Sequence, residues 1–218
     1  KISVIGSPID TKFFAPPTAA RNRGDGPLRL VAVGRLVEKK GFADAIAALE
    51  LLKKAGHAAT LQIVGDGPLR AQLARDAEDR GLRDAVVFTG AATRAGVRDA
   101  LHAAHIMLAP SVRSAAKDED AAVNTLKEAL ATEMPVIGTR HGGIPELVVH
   151  GKTGLMVPER DPQALAEAIA ELAQHPESWP RIGKAGRKHV VRVYDRQVIL
   201  RQTIQTYYRV LSVQEPVH

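Results

Sequence analysis

LRLVAVGRLVEKKGFADAIAALELL, Leu28 to Leu52, is the stretch that decides the fold. Its first six residues are almost continuously apolar, as in a parallel strand covered on both faces. From Phe42 the period changes: Phe42, Ala45, Ile46, Leu49 and Leu52 share one helical face. Between strand and helix lies GRLVEKKGF, Gly34 to Phe42, a short turn that carries Arg35, Lys39 and Lys40. Strand exits in α/β folds are where ligands bind, and the free N–H groups of a helix start favour an anion. Cations normally avoid that positive end. Three of them there imply a negative partner that the sequence itself does not contain.

The same alternation continues outward. Further strands are expected at Ala59–Val64, Val86–Thr89, Ile106–Ala109, Pro135–Thr139 and Gly154–Val157. A second helical stripe, Leu165, Ala168, Ile169 and Leu172, follows a helix start at Asp161-Pro162. This pattern means an α/β, Rossmann-like, doubly wound parallel sheet of about six strands, with helices on both faces and right-handed crossovers. Residues 1–27, rich in Pro, Gly, Ala and Arg from Ser7 onward, read as a strand end and linker; 28–175 form the Rossmann-like unit; 176–218 form a helical extension. In that extension Arg181, Lys184, Arg187, Lys188, Arg192 and Arg196 form a basic series, read as a solvated helix face rather than a lipid-binding patch.

Composition sets the outer limits. The 218 residues, 45% hydrophobic and 25% charged, are an ordinary globular mixture. No apolar run approaches the roughly 20 residues of a membrane span, and no signal peptide is visible. The chain starts at Lys1, in what reads as the end of a strand, so it is taken as a fragment of a longer protein. Cysteine is absent, which excludes disulfides and thiolate metal sites and fits the cytoplasm. The net charge of +6 suits an anionic partner, but only eight residues are Phe, Trp or Tyr, too few for single-stranded nucleic-acid stacking. Nucleic acid is not an expected partner.

Two other loops repeat the glycine-bearing design. GDGPL, Gly65 to Leu69, follows the second strand, and its Gly65 and Gly67 allow close backbone approach to a ligand. TRHGGIPELV, Thr139 to Val148, opens a short helix behind the fifth strand. These loops and the Gly34 turn converge on the carboxyl edge of a parallel sheet, where a ligand is expected. After the fourth strand comes PSVRSAAKDEDAAVNTLKEALA, Pro110 to Ala131. Glu128, near the start of its helix, is placed to accept hydrogen bonds from a vicinal diol such as ribose. Asp118 and Glu119 read as an acidic helix start that complements the dipole.

Three other signals are set aside. Asp118-Glu119-Asp120 resembles a D-x-D metal pair but reads as an acidic loop, so no metal ligand is assigned. Gly151-Lys152-Thr153 imitates the end of a phosphate-binding loop, which requires Gly where Glu146 stands. His102 and His105 are spaced for one helical face without a third ligand, and read as surface or core histidines.

Taken in order, SPIDTKFF, GRLVEKKG, IVGDGPL, VVFTG, LAPS, the acid pair of Asp120 and Glu128, and PVIGTRHGGIPELVVHGKTGLMVP resemble the C-terminal, donor-binding half of a family 4 retaining glycosyltransferase of GT-B fold. The string NTLKEALA resembles the bacterial exopolysaccharide type. The resemblance implies hexose transfer from a nucleotide sugar, UDP- or GDP-linked, to a glycan or lipid-linked hydroxyl held by the missing N-terminal domain. No cofactor is implied. Cytoplasmic location is expected, with peripheral contact at the inner membrane face left open.

Residue by residue, the resemblance gives Arg35 and Lys40 the donor diphosphate, beside Gly34. It gives Glu128 the ribose and Asp120 the donor sugar. Thr89 and Gly90 would border the base, and the amides of Gly142, Gly143 and Ile144 the sugar or phosphates. Asp120-Ala121 departs from the family's usual Glu-Gly, and Val123 from its usual Pro. The shorter Asp120 carboxylate would reach the sugar less directly. The alternatives on this fold are a nucleotide-sugar epimerase, a phosphorylase, or a degenerate nucleotide-binding module.

Overall fold

The computed structural model describes residues 4–116, 118 and 123–211. Six parallel strands form one sheet: β1 (Leu28–Val33), β2 (Ala59–Val64), β3 (Val86–Gly90), β4 (Ile106–Ala109), β5 (Val136–Thr139) and β6 (Leu155–Val157). Their spatial order is β3-β2-β1-β4-β5-β6, so the winding reverses between β1 and β4. That reversal opens a crevice at the carboxyl edge, where α/β sheets bind ligands.

Alternation along each strand sends side chains to two cores. Leu30 and Ala32 of β1, with Ile106 and Leu108 of β4, enter one core with helices α1 (Phe42–Lys54), α2 (Arg70–Asp79) and α6 (Pro162–Gln174). Val31 and Val33, with Met107 and Ala109, enter the other, shared with α3 (Arg94–Ala103), α4 (Asn124–Ala131), the single turn α5 (Ile144–Leu147) and α7 (Trp179–Tyr194). Burial on both faces explains why these strands read as continuous apolar runs. The expected stripes of α1 and α6 are their buried residues. Asp161 caps α6 through Ala164 N–H at 2.9 Å, with Pro162 in the first turn.

The last helix, α8 (Arg196–Leu211), buries only Ile199 and exposes Leu200, Ile204, Tyr207 and Leu211. Ile9 N–H donates to Tyr194 O at 2.8 Å and Ile9 O accepts from Arg196 N–H at 2.9 Å, so residues near Ile9 are stitched to the α7–α8 junction. Phe14 of the same segment is fully buried.

Two expectations need correction here. His102 and His105 do not share a helical face, because α3 ends at Ala103. His102 meets Ala15 O at 2.9 Å, and His105 is buried, accepting Arg29 N–H at Nδ1 at 3.0 Å. The basic series is also not uniformly solvated. Arg181, Lys184, Lys188, Arg192 and Arg196 are exposed, whereas Arg187 is half-buried. Its guanidinium donates to the carbonyls of Thr11, Phe14 and Ala131, tying α7 to α4 and to the segment that enters the domain. Arg187→Met is therefore expected to lower stability by about 1–3 kcal/mol, the cost of stranding those carbonyls. Lys188 is exposed on the same helix, and Lys188→Met should change the denaturant midpoint little. Equal midpoints for the two variants would remove Arg187's structural role.

Candidate functional site

The loop after β1 is held by its neighbours rather than by its own bonds. Gly34 N–H donates to Val64 O at 2.9 Å, and Leu36, fully buried, donates to Asp66 O at 2.9 Å and accepts from Leu69 N–H at 3.1 Å. Gly41 has φ +63°, and a Cβ there would lie 1.8 Å from Pro110 O, so the loop is pressed against the exit of β4. Val112 N–H donates to Lys39 O at 2.9 Å and closes the contact.

This frame presents Arg35, Lys39 and Lys40 around a cavity of about 410 Å³ whose far wall is Ser114, Ala116 and Asp118. Arg35 is exposed; its carbonyl accepts Val37 N–H at 2.9 Å, but among the described residues no hydrogen bond or ion pair engages its guanidinium. Lys39 Nζ lies 2.8 Å from an Asp118 carboxylate oxygen. The Lys40 stem lies over Gly34, with Cε 3.1 Å from where a Cβ would stand. Asp118 is thus a partner of Lys39 and not part of a helix start, since α4 begins only at Asn124. Asp120 and Ala121 lie outside the described residues, as does Glu119.

The glycines of GDGPL serve the loops themselves. A Cβ on Gly65 would lie 1.9 Å from Gly34 O, and one on Gly67 would lie 2.6 Å from Leu36 O. Both positions are explained by backbone-to-backbone packing with no ligand invoked. Gly65 N–H also donates to Gly90 O at 2.8 Å, which brings the ends of β2 and β3 together. Thr89 is exposed and Gly90 adopts φ +77°, so this corner offers backbone and open surface.

Glu128 sits on α4, half-buried, and no group among the described residues hydrogen-bonds its carboxyl. Burial pushes its pKa up to about 7, against the opposing pull of Arg94. That guanidinium stacks 4.4 Å over Phe13 and lies 3.5 Å from Asp10. Its helix neighbour Lys127 is buried, with Nζ 2.9 Å from Ser7 Oγ and 4.6 Å over the Tyr194 ring. Burial lowers the pKa of Lys127, against the pull of Glu146.

At the exit of β5, Gly142 has φ +47° and is exposed, and Gly143 is half-buried. Ile144 N–H already donates to His141 O at 3.0 Å, so of the three amides expected here only those of Gly142 and Gly143 lack an acceptor among the described residues. His141 is buried, with Nδ1 2.8 Å from Glu159 Oε1. The other Glu159 oxygen accepts Arg113 N–H at 2.7 Å. Burial alone would raise the Glu159 pKa, but these bonds from Arg113 and His141 win and lower it. Arg160 follows, reaching Glu38 at 3.1 Å and Arg113 O at 2.7 Å.

The segment after β6 therefore ties together the exits of β1, β4 and β5. Sequence reasoning missed this knot. Its one signal was Glu159-Arg160 directly after a strand, on the edge where charge has a use.

Comparison with known proteins fits this geometry. The family model described as glycosyl transferases group 1 matches residues 18–189. The amylovoran biosynthesis glycosyltransferase AmsK of Erwinia amylovora is 36% identical over 183 residues, covering 84% of this chain and 45% of that protein. The putative colanic acid biosynthesis glycosyltransferase WcaL of Escherichia coli (strain K12) is 37% identical over 204 residues, 93% of this chain and 50% of its own length. The chain thus spans about half the length of the curated relatives it matches. Among solved structures, Anabaena Alr3699/HepE in complex with UDP-glucose superposes with a TM-score of 0.83 at 20% identity, over 95% of this chain and 57% of that one.

Proposed function

This chain belongs to the group 1 glycosyl transferases, and from that premise we propose that it is the half that holds a nucleotide-sugar donor. The observation that carries the proposal is Arg35, exposed and unpaired among the described residues, beside Lys40 at the point where the sheet reverses its winding. Lys39 has its counter-charge in Asp118, which favours Arg35 for the diphosphate, with Lys40 assigned beside it on the sequence pattern. Glu128 takes the ribose hydroxyls, and Thr89 and Gly90 border the base. Gly34, Gly142 and Gly143 line the path between phosphates and sugar, and Ile144 contributes packing more than its amide, which is already bonded. Asp120 is assigned the donor sugar on the sequence pattern alone.

The chemistry in this proposal is transfer of a hexose, with retention, to a glycan or lipid-linked hydroxyl presented by another part of the protein. Negative charge grows on the departing diphosphate as the sugar leaves. Arg35 and Lys40, carried on a loop that is braced against the exits of β2 and β4, stabilise that charge more than the ground state. UDP-glucose in the HepE complex supports a nucleotide sugar as the ligand class, and a UDP- or GDP-sugar is the proposed donor. The absence of cysteine fits a cytoplasmic site of action. Among the described residues no helix is long and apolar enough to cross a membrane.

The test is a side-by-side assay of this 218-residue chain and the longer protein that carries it, with radiolabelled UDP- and GDP-sugars and an acceptor extract. The chain is expected to bind nucleotide without transferring sugar, because the acceptor must be oriented and water excluded by an opposing wall. Transfer by the chain alone would contradict its assignment as a donor half.

A further inference from the structure

A second pocket lies at the amino edge of the sheet, opposite the loops described above. Pro16, Pro17, Arg21, Glu133, Trp179 and Lys184 contribute to the lining of a cavity of about 190 Å³. Arg21 reaches it from the segment that enters the domain. Its Nη1 donates to Leu101 O at 3.0 Å and to Ala104 O, capping the C-terminus of α3. Its Nε and Nη2 are buried without an acceptor among the described residues. Burial, with repulsion from Arg29, lowers its pKa to about 10.

Arg23 and Arg29 occupy the same corner. Their acceptors are main-chain carbonyls, of Gly24 and Gly26 for the first and Ala103 for the second, and no carboxylate among the described residues pairs with either. His105 is 1% exposed, with the Asn22 backbone as a hydrogen-bonding neighbour, and its ring lies 5.6 Å from that of Trp179. Desolvation and the three arginines hold the His105 pKa down to about 4, so the imidazole is neutral. Arg29 is exposed, but a desolvated guanidinium such as that of Arg21 is normally paired. Here Glu133 is the one carboxylate of the lining among the described residues, against Arg21 and Lys184.

We propose that this cavity binds a small oxyanion of the phosphate class, with Arg21 and Lys184 as its cationic partners and Trp179 as its wall. The site is separate from the donor loops and does not depend on their assignment.

Trp179 is the only tryptophan of the chain, so its emission reports on this cavity. Titration with inorganic phosphate, at ionic strength held constant with chloride, is expected to change that emission saturably. Arg21→Ala and Lys184→Glu should each weaken the response about tenfold or more, the loss of one charge-assisted contact. Arg35→Ala, on the opposite edge, should leave it unchanged. Arg21→Ala also uncaps α3, so Lys184→Glu, at an exposed side chain, decides the matter if the first variant fails to fold. No saturable response, a response matched by chloride alone, or one abolished by Arg35→Ala would overturn the proposal.

Discussion

Replacing Arg35 and Lys40 together by alanine is expected to weaken UDP binding by about 3–6 kcal/mol, since a charged hydrogen bond is worth roughly 1.5–3 kcal/mol. Uridine binding should change by less than about twofold, because the nucleoside has nothing for either cation to hold. The single variants should each lose about 10- to 100-fold for UDP. The figure of about 3–6 kcal/mol is the additive limit; the two cations touch one ligand group, so the double variant also measures their coupling against that limit. The Arg35 guanidinium makes no bond among the described residues, and its removal should leave stability within about 0.5 kcal/mol. A Kd series for UDP and uridine, with thermal midpoints for each variant, separates the possibilities. Equal losses for nucleoside and nucleotide would mean that the cations support the fold instead of the diphosphate.

Glu128→Gln should produce opposite effects on binding and stability. The folded protein holds the Glu128 proton more tightly than the unfolded chain, with the pKa raised from 4.5 to about 7 by burial. A raised carboxyl pKa means that stability falls as pH rises from about 4.5 to about 7, after which the cost of the buried charge is complete. That cost is on the order of 3 kcal/mol. Glu128→Gln removes it, so the variant should melt higher than the parent at pH 8 and match it near pH 4.5.

Ribose hydroxyls are held by the ionised form, so affinity for UDP-glucose should rise as pH passes through about 7. The sugar diphosphate is the better probe, because UDP itself adds a terminal phosphate ionisation at about pH 6. At pH 8 the variant should bind UDP-glucose about 1–3 kcal/mol more weakly and without pH dependence. Parent-like affinity in Glu128→Gln at pH 8 would remove Glu128 from the ribose. In the same series, Asp120→Asn should spare UDP and weaken only UDP-glucose.

The sheet was legible because its central strands are buried on both faces, the edge strand β3, with Val87 and Thr89 exposed, being the exception. Leu28–Val33, Ile106–Ala109 and their neighbours carry an apolar signal that survives without knowledge of their partners. The candidate ligand edge was readable for a related reason: cations in a strand–helix turn are locally anomalous wherever they occur. What the sequence hid are contacts between residues far apart along the chain. Glu159 reaches both His141 and Arg113, Arg160 reaches Glu38, and Arg187 reaches Thr11, Phe14 and Ala131. None of these has a periodic or local signature. Gly65 and Gly67 show the converse: glycine correctly marked a close approach, but its partner is the loop containing Gly34 and Leu36. Asp118 was misplaced because the helix start was read too early, and its partner Lys39 lies in another loop.

The central claim is that the carboxyl edge of this sheet holds a nucleotide sugar. Amide chemical-shift mapping of the ¹⁵N-labelled chain with UDP-glucose and GDP-mannose tests it most directly. The largest shifts are predicted at Gly34 to Gly41, Thr89 and Gly90, and Gly142 and Gly143, with those of Arg35→Ala much reduced. Shifts centred instead on the opposite edge, around Thr132 and Glu133, or no shifts with either nucleotide sugar, would contradict the account.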